Sequence, residues 1–167
     1  MEISRGRCWK LGDSVSNDQL IASKWVFDYD LAILTKNIMV DVVPEFPSVA
    51  KAGDFIVAGE SFAHGSLHIH PFLALKAMGI GVMCKSMPRG SFRLAIYAGV
   101  TLLTDCGDAY DLVEDGDEIE VDPIKGRLRN LSRTGDAAVP PLPAFLADIV
   151  SAGGGVGYIR RSVAGAG

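Results

Sequence analysis

The sequence predicts an α/β fold in which helices flank a core of parallel β-strands. Between residues 55 and 104, short apolar runs alternate with amphipathic segments in the order strand, helix, strand, helix, strand. Strands that are joined through helices pair in parallel by right-handed crossovers. Residues 116–121 alternate apolar and polar side chains, and 125–131 could return as their hairpin partner. The chain of 167 residues is long enough for one domain with a hydrophobic core.

The N-terminal part contributes a strand and two helical segments. Residues 2–12 form the first predicted strand, which ends at Gly12. A short helix over 19–22 would follow, and a second is predicted over 30–38, where apolar side chains recur at helical spacing. The connection 42–54 contains two prolines and has room for at most one helical turn. Caps for the two helices are available from Ser16, Asn17 or Asp18 and from Asp30.

The two helices of the parallel core have start and stop signals. Pro71 lies in the first turn of the first helix, and Gly79 ends it. The second helix covers 89–99 and is closed by a glycine. The three strands that these helices connect are predicted at 55–59, 80–86 and 100–104.

The C-terminal part completes a single domain over residues 1–161. An amphipathic helix with a glycine stop is predicted over 142–155. The last six residues, 162–167, are predicted to be a disordered tail. No internal repeat or interdomain linker interrupts the chain.

Composition and charge exclude two classes of partner. A formal net charge of −4, without any Lys/Arg-rich run, argues against binding to the phosphate backbone of nucleic acids. No segment approaches the roughly 18 apolar residues that a membrane span requires. The N-terminus lacks the apolar region of a signal peptide, so the expected location is the cytoplasm.

The cysteines do not form a recognisable pattern. Cys8, Cys84 and Cys106 are odd in number and widely spaced, which fits neither a disulfide framework nor a C-x-x-C metal clip. We therefore expect no cofactor in this chain, and any iron–sulfur cluster would have to be held by another chain.

All three histidines of the chain lie within the seven residues 64–70. His68 and His70 share a face if the backbone is extended, and His64 and His68 share a face if it is helical. One backbone cannot satisfy both patterns, and a further ligand would have to come from elsewhere. The spacing therefore predicts no metal site.

The loop 60–69 is the main candidate for a functional site. It leaves the carboxyl end of a predicted parallel strand and enters a helix, which is where ligands bind in such sheets. Gly65 permits a tight turn, and Ser66 near a helix N-terminus would have its oxygen in a partial positive field. His64 and His68 flank Ser66 and could act as a base or as a cation for a carboxylate.

For several other polar residues, the sequence allows either a functional or a structural role. A serine-hydrolase triad is disfavoured because no aspartate follows locally and the G-x-S-x-G motif is absent. Arg89 and Arg93, one helical turn apart, could grip an anion, although a solvated helix face explains them slightly better. His70 is expected to cap or pack the start of its helix, and the acidic run 108–120 is expected at the surface. Asp13, Asp18 and Asp28 could form the polar edge of a site or a solvated loop.

Several motifs occur in the order and at the spacing of one known family. They are G-R-C-W-K-L-G-D-S-V-S-N-D, V-P-E-F, A-G-D-F-I-V-A-G-E-S-F, H-P-F-L-A-L-K-A-M-G-I, K-S-M-P-R-G-S-F-R-L-A-I and L-P-A-F-L-A-D-I-V-S-A-G-G. From about Gly6 to Arg161, the chain resembles the small subunit of 3-isopropylmalate dehydratase, the separately encoded swivel domain of the aconitase superfamily. The resemblance implies a single aconitase swivel-type domain with barrel-like layers of sheet flanked by helices.

The resemblance also implies one subunit of a two-chain hydro-lyase. A large subunit would carry a [4Fe-4S] cluster that binds the substrate, and the small subunit would close over it with a serine base. The reaction would remove and re-add water across a 2-hydroxy dicarboxylic acid, which needs a base on one carbon and a Lewis acid at the leaving hydroxyl. The expected partners are therefore this large subunit and a small hydroxy acid.

The substrate loop of that family, Gly-Ser-Ser-Arg-Glu-His, is only partly kept. Gly65 and Ser66 match its first two positions, so the resemblance makes Ser66 the catalytic base. Leu67 replaces the second serine, and His68 replaces the arginine that grips a substrate carboxylate. The last two positions are Ile69 and His70.

Residues outside this loop complete the expected substrate contacts. Ala63 and His64 replace the usual Gly-Cys of the family, and Asp18 keeps the acidic residue of an earlier Asn-Thr-Asp motif. Aconitase-like members with a third carboxylate place an arginine near residue 27, so Phe27 implies an apolar substituent. The expected substrate-binding residues are Asp18, Phe27, His64, Gly65, Leu67 and His68.

The departures from the family loop indicate a changed substrate. Arginine to histidine exchanges a permanently charged, bidentate group for a ring that is often neutral. Leu67 and Ile69 make the pocket drier. We infer a diverged paralogue that acts on an unusual alkylmalate, alkylmaleate or less charged acid. Two alternatives stay open: a stand-alone, cluster-free isomerase, cyclase or decarboxylase that reuses the 60–70 pocket, and a non-catalytic partner of a large subunit.

Overall fold

Seven strands form one sheet in the computed structural model, which describes residues 2–165. They are β1 (Ser4–Leu11), β2 (Phe55–Ala58), β3 (Gly81–Cys84), β4 (Leu102–Leu103), β5 (Glu118–Asp122), β6 (Arg127–Asn130) and β7 (Asp136–Ala138). Their order across the sheet is β4-β3-β2-β1-β5-β6-β7. The pairs among β1 to β4 are parallel, and the pairs that involve β5 to β7 are antiparallel.

Eight α-helices lie within the described residues. They are α1 (Asn17–Leu20), α2 (Leu31–Asn37), α3 (Phe46–Val49), α4 (His70–Met78), α5 (Arg89–Ala98), α6 (Gly107–Leu112), α7 (Ala144–Ser151) and α8 (Gly155–Ala164), with a 3-10 turn at Ser23–Trp25. Gly79 and Gly99 end α4 and α5 with φ angles of 71° and 85°. Glycine adopts this left-handed conformation without the steric penalty of a Cβ.

Strand β1 joins the parallel and antiparallel halves of the sheet. Its residues 8–11 pair with β2, and its residues 4–7 pair with β5. The buried carboxylate of Asp54 holds the start of β2 against β1, because it accepts hydrogen bonds at 2.9 Å from the Trp9 indole and from the Arg7 backbone N–H. A third bond at 2.9 Å comes from the Lys51 N–H, so this buried charge is well satisfied.

The predicted α/β fold with a parallel core is confirmed. Every strand and helix predicted between residues 55 and 104 is present, although β4 is only two residues long. This strand lies at the edge of the sheet, with β3 as its one neighbour. No helix within residues 2–165 is long and apolar enough to cross a membrane.

Three elements are absent from the sequence-based predictions: α6, β7 and α8. Helix α6 lies in the acidic run, where Ala109 is buried and Asp111 forms an ion pair of 3.2 Å with Lys85. Strand β7 has only three residues and depends on pairing with β6. Residues 162–164, assigned above to a disordered tail, form the end of α8, and residues 166–167 lie outside the described part of the chain.

The parallel strands also determine where a site can form. The loops that follow β2, β3 and β4 all leave the sheet where these parallel strands have their carboxyl ends, because those ends lie together. We call this side of the sheet its carboxyl edge. A hydrogen bond from the Ser86 hydroxyl to the Glu60 carboxylate joins the first two of these loops. The Ser61 N–H donates to the Ser86 hydroxyl at 2.9 Å and reinforces the connection.

Candidate active site

The backbone of the loop after β2 is fixed along the segment that precedes α1. The Ala63 N–H donates to the Val15 carbonyl, and the Asn17 N–H donates to the His64 carbonyl, both at 2.8 Å. Ala63 has a φ of 58°, a conformation that is unfavourable for a residue other than glycine. Strained positions of this kind persist where the surrounding structure enforces them, and they concentrate at functional sites.

The fully buried Asn17 side chain defines the turn that carries Ser66. Its Nδ2 donates to the carbonyls of Ser66 and His68, at 2.8 Å and 2.9 Å. Gly65 enters the turn with a φ of 87°, which only glycine adopts readily. The Ser66 side chain is exposed, so its hydroxyl is available to a ligand at the carboxyl edge of the sheet. Sequence reasoning treated Asn17 as a possible cap and missed this contact.

Leu67 is largely exposed but contacts the start of α5. Its side chain is 62% accessible, yet a Cβ built on Gly90 would lie 2.9 Å from Leu67 Cδ1. The absence of a side chain at Gly90 therefore leaves room for the leucine. This contact places an apolar surface beside the Ser66 turn.

The structure brings His68 and Asp18 together, as two members of the expected substrate-binding set. Nε2 of His68 lies 3.4 Å from Oδ1 of Asp18, which is longer than an ordinary hydrogen bond but within ion-pair range. The His68 side chain is only 10% accessible, compared with 40% for Asp18.

His70 packs behind His68 in the interior. The centres of these two rings lie 5.5 Å apart. The Tyr29 ring also contacts His70, with 4.8 Å between the ring centres. Burial lowers the pKa of His70, the nearby His68 lowers it further, and Asp28 opposes both effects. Packing is therefore its structural role, since the N-terminus of α4 has no side-chain cap hydrogen bond. Tyr29 is a second contact that sequence reasoning missed.

His64 and Phe27 have different surroundings from the rest of the expected set. Nε2 of His64 lies 3.0 Å from the Ser14 carbonyl and donates to it, so this ring helps to hold the two loops together. Phe27 is 93% exposed, in the segment that follows the 3-10 turn. That segment contacts His70, the first residue of α4, through Tyr29.

The cysteines do not fit the ligation of an iron–sulfur cluster. All three are buried as free thiols, and burial raises the pKa of Cys8 and of Cys106 to about 12. Burial also raises the pKa of Cys84, and cluster ligands must be thiolates. Within residues 2–165, no group of three histidine, cysteine or acidic side chains is arranged to hold a metal ion.

Comparison with known proteins identifies the family. The chain is 42% identical over 156 residues to the 3-isopropylmalate dehydratase small subunit 1 of Archaeoglobus fulgidus. The aligned residues cover 93% of this chain and 96% of that protein. The chain belongs to the family of 3-isopropylmalate dehydratase small subunits. It is also 40% identical over 162 residues to the small subunit of Aquifex aeolicus, covering 96% of each chain. No protein-family model matches.

A solved structure confirms the aconitase swivel-type fold of this small subunit. The crystal structure of 3-isopropylmalate dehydratase (leuD) from Methanocaldococcus jannaschii matches with a TM-score of 0.88 and 31% identity. The match covers 96% of this chain and 95% of that chain. The match therefore covers nearly all of both chains, and the matched protein is named for a dehydratase, a class of hydro-lyase.

Proposed function

We propose that this small subunit acts with a large subunit to dehydrate and rehydrate a 2-hydroxy dicarboxylic acid that carries an apolar substituent. The observation that carries the proposal is the pair of hydrogen bonds from Asn17 to the Ser66 and His68 carbonyls, which we call the Asn17 clamp. This clamp fixes the turn that presents the exposed Ser66 at the carboxyl edge of the parallel strands. An exposed hydroxyl on a rigid turn suits a site that a second protein completes. The large subunit is the expected carrier of a [4Fe-4S] cluster, which would supply a Lewis acid for the leaving hydroxyl.

Ser66 is the proposed base of this reaction. As the alkoxide, its oxygen takes the proton from the carbon beside the hydroxyl-bearing carbon. The C–H electron pair then forms a carbon–carbon double bond, and the hydroxyl leaves with the C–O electron pair. In the rehydration, hydroxide adds to the carbon that lost its proton, and the Ser66 hydroxyl gives its proton to the carbon that had carried the hydroxyl. The two hydrogen bonds from Asn17 support this role because they hold the turn in one geometry.

His68 is the proposed ligand of a substrate carboxylate. Both of its ring nitrogens are buried without a hydrogen-bond partner among the described residues, which favours binding of a polar group. An imidazole N–H can donate a hydrogen bond to a substrate carboxylate. The exposed Leu67 beside the Ser66 turn supports an apolar substituent on the acid, and the family resemblance gives Phe27 the same role, so we propose a paralogue whose substrate has diverged.

Replacing Ser66 by alanine in the assembled complex tests the assignment of the base. We expect turnover to fall by about 10²–10⁴-fold, the usual contribution of a positioned general base, with unchanged assembly of the two subunits. Ser48→Ala is the matched control, because Ser48 lies exposed on α3 and its hydroxyl bonds only within that helix turn.

Two results would replace this proposal with one of the alternatives. A Ser66→Ala complex as active as the unaltered complex would make the chain a non-catalytic partner. Full activity of the isolated chain without iron would make it a stand-alone enzyme.

A further inference from the structure

A groove lies beside the Ser66 turn, at the same carboxyl edge of the parallel strands. Its volume is about 480 Å³, within the range of binding clefts. Part of its wall comes from the loops after β3 and β4, and part from α5 and α7. Among its lining residues are Met87, Arg89, Phe92, Arg93, Asp105 and Leu146.

The two arginines of the groove lack the carboxylate partners that arginines on and beside the β-strands have. Arg5 and Arg127 pair with carboxylates at 2.9 Å and 2.6 Å, and Arg133 pairs at 3.1 Å. Arg89 and Arg93 are exposed one turn apart on α5, and within residues 2–165 neither has a carboxylate within 4.0 Å. In a chain of net charge −4, this pair forms an unpaired basic site next to the apolar surface of Phe92 and Leu146.

The groove also contains one carboxylate, Asp105. Its Oδ2 accepts a hydrogen bond of 3.2 Å from the Thr104 hydroxyl, and it is not an ion-pair partner of either arginine. Two cations therefore face one anion, and the groove favours an occupant with surplus negative charge.

The wall of the groove is attached directly to the candidate active site. Leu67 packs against Gly90, which follows Arg89 in the chain. The buried Ser91 hydroxyl donates to the Ala63 carbonyl at 2.5 Å. A protein that covers the Ser66 turn must therefore lie next to the groove as well.

We propose that this groove docks an acidic surface segment of the large subunit. Carboxylates of that segment would bind the guanidinium groups of Arg89 and Arg93, and an apolar side chain would rest on Phe92 and Leu146. This inference rests on the proposed function, because it assumes the large subunit that completes the Ser66 site. It adds the position of the contact and the charge of the surface that recognises it.

Charge reversal at Arg93 tests the docking. We expect Arg93→Glu to raise the Kd of the purified subunits by about tenfold or more, and Arg89→Glu/Arg93→Glu to raise it further. Added salt should weaken the unaltered complex more than the double variant, because salt screens the ion pairs. Lys125→Glu makes the same charge change on the β5–β6 hairpin, at the other end of the sheet, and should leave the Kd within about twofold.

Arg93→Lys separates charge from geometry and also tests folding. A lysine keeps the charge but lacks the bidentate fork, so it should weaken binding less than Arg93→Glu. Circular dichroism and the unfolding midpoint should be unchanged in these variants, since Arg93 is exposed.

The outcomes distinguish this inference from the proposed function. An active complex in which the arginine variants bind as tightly as the unaltered chain overturns the docking and leaves the proposed function intact. An unchanged Kd with a raised KM places the small acid in the groove instead and also overturns the docking. If the unaltered chain does not bind a large subunit at all, both proposals fail.

Discussion

His68 is the residue that most distinguishes this candidate site from the arginine-bearing loop of its family. Its Nε2 lies 3.4 Å from Oδ1 of Asp18, and the centre of its ring lies 5.5 Å from the centre of the His70 ring. An imidazole carries charge only when it is protonated, whereas a guanidinium stays charged at every physiological pH. If His68 binds a carboxylate, an arginine at this position should bind it more tightly.

Replacing His68 by arginine should therefore tighten substrate binding. We expect the KM of His68→Arg to fall by about tenfold, the value of one charge-assisted hydrogen bond, because a guanidinium can bind both oxygens of a carboxylate. Initial-rate kinetics on the assembled complex measure the KM, with Ser48→Ala as the control that should leave it unchanged. A KM that His68→Arg leaves unchanged would contradict the role of His68.

Sequence reasoning could propose Gly65, Ser66 and His68 as site residues because they lie close together in a loop of predictable position. It missed the clamp because the acceptors of Asn17 lie 49 and 51 residues away along the chain. No local pattern contains such a contact, and an asparagine before a short helix has an ordinary interpretation as a cap. Tyr29 was missed for the same reason, since its contact with His70 depends on the path of a loop.

A buried acidic side chain, Asp117, stabilises the start of β5. Asp117 is buried, and its carboxylate accepts bonds from the Glu114 N–H at 2.9 Å, Asn130 at 2.8 Å and Arg133 at 3.2 Å. Burial alone would raise the pKa of this carboxyl, but the hydrogen bonds and the nearby guanidinium outweigh it and lower the pKa. The Asp117 backbone carbonyl also accepts from Cys8, which ties this element to β1.

Replacing Asp117 by asparagine should destabilise the protein and reduce its sensitivity to acid. Since the folded-state pKa is depressed, its stabilisation is present above the unfolded value of about 3.9 and is lost as the pH falls below it. We expect the free energy of unfolding of Asp117→Asn to be lower by about 1–3 kcal/mol near neutral pH, because charged hydrogen bonds are lost.

Urea denaturation at neutral and acidic pH measures this effect. The difference between the unaltered protein and Asp117→Asn should shrink as the pH falls through the window below about 4. Asp41→Asn is the control, since Asp41 is exposed. An equal difference at every pH would show that ionisation of Asp117 does not contribute.

At the scale of elements, local signals predicted the helices with caps or glycine stops and missed those without them. Helices α4 and α5 end at glycines of positive φ, which the sequence shows directly. Helix α8 begins at the last of three consecutive glycines and has no side-chain cap, so its pattern resembles a terminus. Its position instead depends on tertiary contacts such as the Tyr158 ring against Phe145, at 5.8 Å.

At the scale of the whole molecule, the parallel half of the sheet gathers the candidate active site and the docking groove at one edge. The loop after β2 supplies Ser66, and the loops after β3 and β4 supply part of the groove. The antiparallel half, β5 to β7, lies at the other end of the sheet. This division predicts that one face of the chain meets both the substrate and the large subunit.

Reconstitution from separate subunits tests this central claim most directly. The purified chain and an iron-loaded large subunit would be assayed alone and in mixtures of increasing ratio, with an alkyl-substituted 2-hydroxy dicarboxylic acid as substrate. We predict that neither protein turns over the acid alone and that activity rises with added chain to a plateau at one chain per large subunit. Equal activity of the large subunit with and without this chain would contradict the account.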